Sequence, residues 1–420
     1  MVRLRALYFL YYAGVGVFLS YLAPYLRGLG FTGQQIGAVS TAQQLVSVPA
    51  ALAWATLADR LGSPSRALRI CGAGALCAAC ALPFVRTPLA IGATLVVFSL
   101  FASAVVPLVD AATMEAVEPA GTSYARTRLW GSLGFIVTAQ GLGALLTLRG
   151  ERAADAVVPV AYLVCVAGWA LVSQGVSGVP RSLERPHWRE AAMLLRSPRL
   201  LFWLLICAVH WGALGPYHLM FGVLVRDRGL PSSVTGTAMA LGVAAEVLAL
   251  FAFPWFERRL SLRALLTVAF AGTVVRWWLV GRVESAPALV ALQSMHGLTF
   301  GIWWGCAVEG MARIVPAHLR ATGQALFAAV VFDLGNAAGY VLAGRGYDAL
   351  GSAAALFPLA AAVEVLPLAL LLLPLTPSGG IGRRGGSRRS RRRMPETASR
   401  PQASPGPRGR GGRTRPPPPP

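Results

Sequence analysis

Lysine is missing from this 420-residue chain: all 38 of its Lys and Arg residues are Arg. Acidic residues number only 17, and charged residues make up 13% against 55% hydrophobic ones. So low a charge density excludes an ordinary soluble domain, where about a quarter of residues carry charge. Cysteine is sparse as well. Cys71, Cys77, Cys80, Cys165, Cys207 and Cys306 all fall inside oily segments. Cys77 and Cys80 form a C-x-x-C with no second pair and no nearby His, which argues against a zinc site and leaves small packing residues. No cofactor motif, metal-ligand cluster or nucleophile–base pair is present, so neither cofactor, metal nor enzyme activity is expected. A cleavable signal peptide is lacking too. Only Arg3 and Arg5 precede the first oily segment, which reads as a retained helix.

What the chain does have is long oily runs. Segments of about 20 residues recur to about residue 375, each able to cross a bilayer. Hydropathy gives twelve spans: 6–26, 35–57, 68–85, 88–113, 128–148, 157–177, 200–224, 234–256, 263–281, 287–312, 321–343 and 352–375. The expected fold is an all-α membrane protein. Alternate loops are rich in Arg, among them Arg60, Arg66, Arg69, Arg181, Arg185, Arg189, Arg258 and Arg259. The positive-inside rule then puts both termini in the cytoplasm. Residues 178–199 form the longest polar break before the tail and divide the spans into two sets of six, 1–177 and 200–375. Paired six-helix halves are a feature of secondary transporters. The tail, 376–420, is Arg, Gly, Ser and Pro and supplies about half of the net +21. It is too polar to fold and reads as disordered. Its expected partners are anionic lipid headgroups. Without interleaved aromatics, nucleic acid is not expected.

Ionisable groups inside the oily runs are costly and mark function. Glu246 lies eleven positions before Glu257, roughly 16 Å from the cytoplasmic end, and Arg276 lies thirteen past Arg263, roughly 20 Å from the same side. In a core about 30 Å thick both sit near the midplane, on adjacent antiparallel helices, where a direct pair is expected. Gln293 and His296 share one face at i, i+3. Asp333 and Asn336 share another, and His210 reaches a similar depth. Together these make a midplane ring, a site for substrate or proton. In the first half Asp110 and Arg128 are expected to pair, with Arg126 nearby. Asp59-Arg60 and Glu257-Arg258-Arg259 would latch the cytoplasmic side. Tyr8, Tyr11, Tyr12 and Tyr25 line the first span. Each group also has a plainer reading. Glu246–Arg276 could be a structural clamp, His296 a packing residue, Asp333 and Asn336 interhelical glue, and Trp303 and Trp304 packing or lipid-facing side chains. Glu309 and Glu364, nearer the span ends, are given no role.

The run Tyr124-Ala125-Arg126-Thr127-Arg128-Leu129-Trp130-Gly131-Ser132-Leu133-Gly134-Phe135 resembles a signature of the 3-phenylpropionate transporter-like branch of the major facilitator superfamily. Tyr8-Phe9-Leu10-Tyr11-Tyr12, Arg276-Trp277-Trp278, Gln293 to Gly301 and Arg320 to Leu326 agree with it. The branch is also similar to lactose permease-like and nucleoside–proton symporters. The resemblance implies proton symport, with Glu246, Arg276 and His296 in coupling or substrate binding and Asp110–Arg128 as a pair. The chain departs from the pattern in two places: the inter-helix motif has Ala55 in place of Gly and Ser63-Pro64-Ser65 in place of a basic run, and Trp304 stands where a second His is expected. The reading is a monomeric inner-membrane transporter, coupling a small organic solute, such as an aromatic carboxylate held by Arg276, to protons. The alternatives are a proton antiporter exporting amphipathic compounds and a non-transporting scaffold or sensor acting through its tail.

Overall fold

The computed structural model describes residues 1–176 and 188–373, apart from the side chains of Asp59, Trp188, Ala191 and Ala321. Every regular element among the described residues is helical. Lipid offers backbone amides no partner, so only elements that satisfy their own hydrogen bonds can cross it. The first six passes are α1 (Val2–Gly28), α2 (Gly33–Ala58), α3 (Pro64–Ala79), α4 (Pro88–Val117), α5 (Tyr124–Leu148) and α6 (Val157–Gln174). The second six are α7 (Pro198–Asp227), α8 (Ser232–Arg259), α9 (Leu262–Arg282), α10 (286–314), α11 (Thr322–Leu350) and α12 (Leu356–Leu372). Among the described residues, nine of these are long and apolar enough to cross a membrane. The other three are α3 and α12, which are short at 16 and 17 residues, and α10, which is interrupted.

Serine hydroxyls set where four of the passes begin. Ser63, Ser123, Ser197 and Ser261 each accept a hydrogen bond from the amide three residues on, ahead of α3, α5, α7 and α9. Each such cap is worth ~1 kcal/mol. The segment 178–199 is not all loop: Trp188–Leu194 is a short helix, and the Thr322 hydroxyl at the start of α11 donates to Glu190 at 3.2 Å. Residues 178–187 and the tail 376–420, where the central loop and the disordered extension are expected, lie outside the described residues.

Five passes lose α-helical regularity part-way. π turns occupy Phe18–Leu22 of α1, Gly297–Ile302 of α10 and Ala328–Leu334 of α11. α4 breaks at Ser103–Ala104 and α7 at Leu214. In α1, α4 and α7 a proline follows within a few residues (Pro24, Pro107, Pro216) and removes a backbone donor. Irregular backbone at membrane depth is tolerated where it is buried in protein or lines a cavity.

The two sets of six are sealed together at one end. A Cβ added at Gly37 or Gly33 of α2 would lie 2.5 Å from the carbonyl oxygens of Tyr340 or Gly344 in α11. One at Gly236 of α8 would lie 2.4 Å from the carbonyl of Ala139 in α5, and one at Gly222 of α7 equally close to Ser20 of α1. The backbones touch because these residues have no side chain. One hydrophobic core accordingly runs from the first six passes across this seam into the second six. A second core belongs to the second six passes alone, at their other end. Side-chain hydrogen bonds join 21–44 or 140–151 on one side to 226–237 or 337–348 on the other.

Within the first set, α1 packs on α5 at Gly134, where an added Cβ would lie 2.0 Å from the Phe9 carbonyl. That contact is with backbone, so no side-chain rotation relieves it. Gly134→Leu is expected to cost ~3 kcal/mol, read as a lowered thermal midpoint of the purified protein, whereas Gly141→Ala, which meets nothing within 4 Å, should leave it in place.

Candidate functional site

Arg276 lies in the middle of α9 and is wholly buried. One stretch of α10 supplies its partners. The guanidinium donates to Gln293 Oε1 at 2.6 Å, to Thr299 Oγ1 at 2.8 Å and to His296 Nδ1 at 3.0 Å. Its faces lie against the rings of Tyr217, at 4.6 Å, and Trp277, at 4.5 Å. An arginine cannot accept a hydrogen bond, so His296 Nδ1 must. That puts the ring proton of His296 on Nε2, which faces Glu246 Oε2 at 3.6 Å. The expected direct Glu246–Arg276 pair is therefore not formed. The imidazole of His296 stands between them, and the order is carboxylate, imidazole, guanidinium. The backbone explains how α10 can present these groups. Residues Gln293–Met295 form a 3₁₀ turn, in which side chains at i and i+3 eclipse, so Gln293 and His296 point the same way.

Glu246 is the exposed member of this line, its side chain 22% accessible although it lies between the two sets of helices. From the first set it feels Arg128 and Tyr12. Arg128 donates to the Tyr12 hydroxyl and lies over the Tyr12 ring at 4.1 Å and the Tyr8 ring at 5.3 Å. Asp110 takes its hydrogen bond from Tyr8 instead. The expected Asp110–Arg128 ion pair is thus replaced by two tyrosines, and among the described residues the hydrogen-bond partner of Arg128 is neutral. The Arg126 side chain is exposed and outside this cluster.

His210 is not part of the ring. It is wholly buried inside the second set, with Nδ1 at 2.6 Å from Glu364 Oε1 and its ring 4.6 Å from Trp303. Glu364, passed over in the sequence, is its partner because α12 brings it beside α7. Asp333 is half-buried on the π turn of α11. Asn336, buried, lies beside His218. His218, another residue the sequence reading missed, lines a small cavity between the two sets with Phe18, Leu22, Ser40 and Tyr340. Its only signal in the sequence was a polar residue next to Tyr217. A ladder of rings leads away from His296: it stacks on Phe300 (4.9 Å), Phe300 on Trp304 (6.1 Å, 3° between planes) and Trp304 on Phe332 (5.2 Å). Trp303 is a buried packing residue, but Trp304 is half-exposed.

A family model described as the MFS_1 like family matches residues 1–358. The chain belongs to the MFS_1 like family. It is 28% identical over 349 residues to the "Probable 3-phenylpropionic acid transporter" of Escherichia coli (strain K12), covering 82% of this chain and 90% of that one. It is 26% identical over 341 residues to the "Maltose permease" of Geobacillus stearothermophilus, covering 78% and 83%. Its fold is similar to that of the nucleoside transporter NupG, with TM-score 0.74 at 17% identity, over 88% of this chain and 97% of that one. A bacterial homologue of the lysosomal transporter Spinster aligns with TM-score 0.66 at 13% identity, over 88% and 93%. The fold is the twelve-helix major facilitator fold, and the protein is a multi-pass membrane transporter of this family.

In this MFS_1 like chain the acidic and basic residues expected to form a cytoplasmic latch find other partners. Glu257 pairs with Arg313 at 3.0 Å, and Arg313 also holds Glu309 at 2.7 Å. All three lie in the second set, so they tie α8 to α10 rather than one half to the other. Arg60 and Arg258 are exposed, and Arg259 stacks on Trp255 at 3.9 Å. The side chain of Asp59 lies outside the described residues. Arg313 and Glu309 went unread because a pairing at i, i+4 needs no third partner, and only packing brings Glu257 to it.

Burial separates the members of the central line energetically. Gln293→Leu strips a buried guanidinium of an acceptor and should destabilise the protein by ~3 kcal/mol. Glu246→Gln, at a hydrated position, should change stability by less than ~1 kcal/mol. Denaturant unfolding of both purified variants measures the contrast. Equal losses would show that Glu246 is held as tightly as Arg276.

Proposed function

We propose that the protein is a proton-coupled symporter that carries a small aromatic carboxylate across the inner membrane by alternating access. It works as a monomer with both termini cytoplasmic. The observation that carries this reading is the position of Glu246, water-accessible and flanked by Arg128 of one half and His296 of the other. On this orientation the sealed end faces outward and the opposite end faces the cytoplasm. The Arg-rich tail, on the same side, would meet anionic headgroups.

Three features divide the work. Arg276 is wholly buried with both terminal nitrogens engaged by α10, so the anion-binding role passes to Arg128, a half-exposed cation among tyrosines. Trp304, Phe300 and Phe332 offer a planar surface for a ring, an arrangement worth about 1 kcal/mol per stacked pair. Glu246 takes the proton. His296 cannot accept a second proton at Nδ1 without giving up its bond from Arg276, so the free basic position on the line is the carboxylate. A substrate carboxylate at Arg128 cancels the positive field that Glu246 feels and adds a negative charge beside it. A proton on Glu246 relieves that repulsion. Each ligand then strengthens binding of the other, and the coupling is reciprocal. The name of the Escherichia coli relative supports an aromatic acid; that of the Geobacillus relative makes maltose the natural control.

The test is uptake of labelled 3-phenylpropionate into proteoliposomes, with an acidic exterior and maltose as control. The parent should accumulate the acid. Glu246→Gln should retain equilibrating flux and lose pH-driven accumulation, while Arg128→Gln should raise KM about 10- to 100-fold. Accumulation left intact by Glu246→Gln sinks the coupling role. Accumulation under the opposite gradient would make the protein an exporting antiporter. A further variant, Trp304→Ala, should raise KM for the aromatic acid about fivefold with little change in the maximal rate.

A further inference from the structure

The outer seam holds two carboxylates that do the same thing from opposite directions. Asp348, at the end of α11, accepts from the amides of Gly33 and Gln34, both at 2.7 Å, at the start of α2. Glu151, just past α5, accepts from the amide of Ser232 at 2.7 Å and from its hydroxyl at 2.5 Å, at the start of α8. Thr147 of α5 accepts from the next amide, Ser233, at 3.0 Å. Counting within each set of six, the carboxylate lies at or just past the end of the fifth pass and the capped helix is the second pass of the other set. The two contacts are therefore equivalent under the repeat of the two halves.

These caps are not ordinary local ones. The first amides of a helix have no partner within it. α8 has Pro231 in the capping position and no side-chain cap of its own, so its first two amides rely on the other half. α2 has Thr32 and Gln35 for its third amide, yet its first two go to Asp348. Each carboxylate also meets the positive end of a helix dipole. Glu151 is further marked by its backbone. It follows Gly150 in the left-handed region, with φ of 55°, a conformation that costs a non-glycine residue of order 1–3 kcal/mol and persists only where the surroundings impose it. Here the hydrogen bond from the Thr147 hydroxyl to Glu151 Oε1, at 2.8 Å, and the two from Ser232 impose it.

We infer that Glu151 and Asp348 are paired latches that hold the outer end of the transporter shut by capping a helix of the opposite half. Both sit at the solvent-facing end of the passes, where water can take over the freed amides when the halves part. That makes the contacts breakable, unlike the buried network around Arg276. Release also lets Glu151 leave its strained backbone, which offsets part of the loss. The ratio of outward-open to outward-closed molecules is thus set by two charge-assisted caps acting together. This rests on the alternating-access reading above and not on the identity of the substrate.

The test uses the full-length protein in liposomes with exposed Cys77 and Cys80 replaced by Ala, since Cys71, Cys165, Cys207 and Cys306 are buried. Spin labels go on Phe84→Cys and Glu284→Cys, exposed positions on outer loops of the two halves, and pulsed dipolar EPR reads their separation. Glu151→Gln and Asp348→Asn should each raise the ratio of long to short separations about fivefold, and the double variant should raise it further. Thermal unfolding of each variant runs alongside. If Glu151→Gln fails to fold, Asp348→Asn decides alone, because α2 keeps its Thr32–Gln35 cap. Distance distributions matching the parent in folded variants overturn the latches. A parent that shows a single outer separation at every pH and with every solute tried overturns alternating access itself.

Discussion

The guanidinium of Arg276 is the constraint around which the second half is arranged. A buried cation must be given partners or it destabilises the fold. α10 meets that demand with Gln293, His296 and Thr299, and the cost is a helix that cannot stay regular from 293 to 302. The same irregular turns aim His296 at Glu246 and start the run of rings through Phe300 and Trp304. One requirement thus fixes the tautomer of a histidine, the outlook of a carboxylate and the slope of an aromatic surface.

The two halves share a fold and divide the chemistry unequally. The second half holds the buried polar network. The first contributes Arg128, cushioned by Tyr8 and Tyr12 and, among the described residues, without a carboxylate at bonding distance. Glu246 lies where these unlike halves face each other, so its charge is sensitive to how far apart they are. A group buried within one half could not report that separation. His210 and Glu364 illustrate the point: 2.6 Å apart and sealed in the second half, they bind α7 to α12 whichever way the halves tilt.

The seam explains how such a molecule can move at all. Where the halves meet, glycines bring backbone against backbone and the attraction is dispersion plus a few capping hydrogen bonds. The broken passes α1, α4, α7, α10 and α11 give each half an inner wall whose backbone is already irregular.

Twelve oily passes and their division into two sets of six were legible in the chain, because hydrophobicity is a local property that adds up along a sequence. Which of the polar groups touch was not. An i, i+3 spacing revealed that Gln293 and His296 share a face, but the order carboxylate, imidazole, guanidinium depends on the rotation of α9 against α10. Tyrosines displaced the Asp110–Arg128 pair because α1 packs between them. Glu364, Glu151 and Asp348 carried no signal and His218 only its place beside Tyr217, since their partners lie far along the chain. The sequence by itself determined what had to be buried in lipid and how costly each charge there would be. Tertiary structure alone decided which partner compensates each charge, because that choice is made by side chains from distant segments meeting across helix contacts that no local pattern encodes.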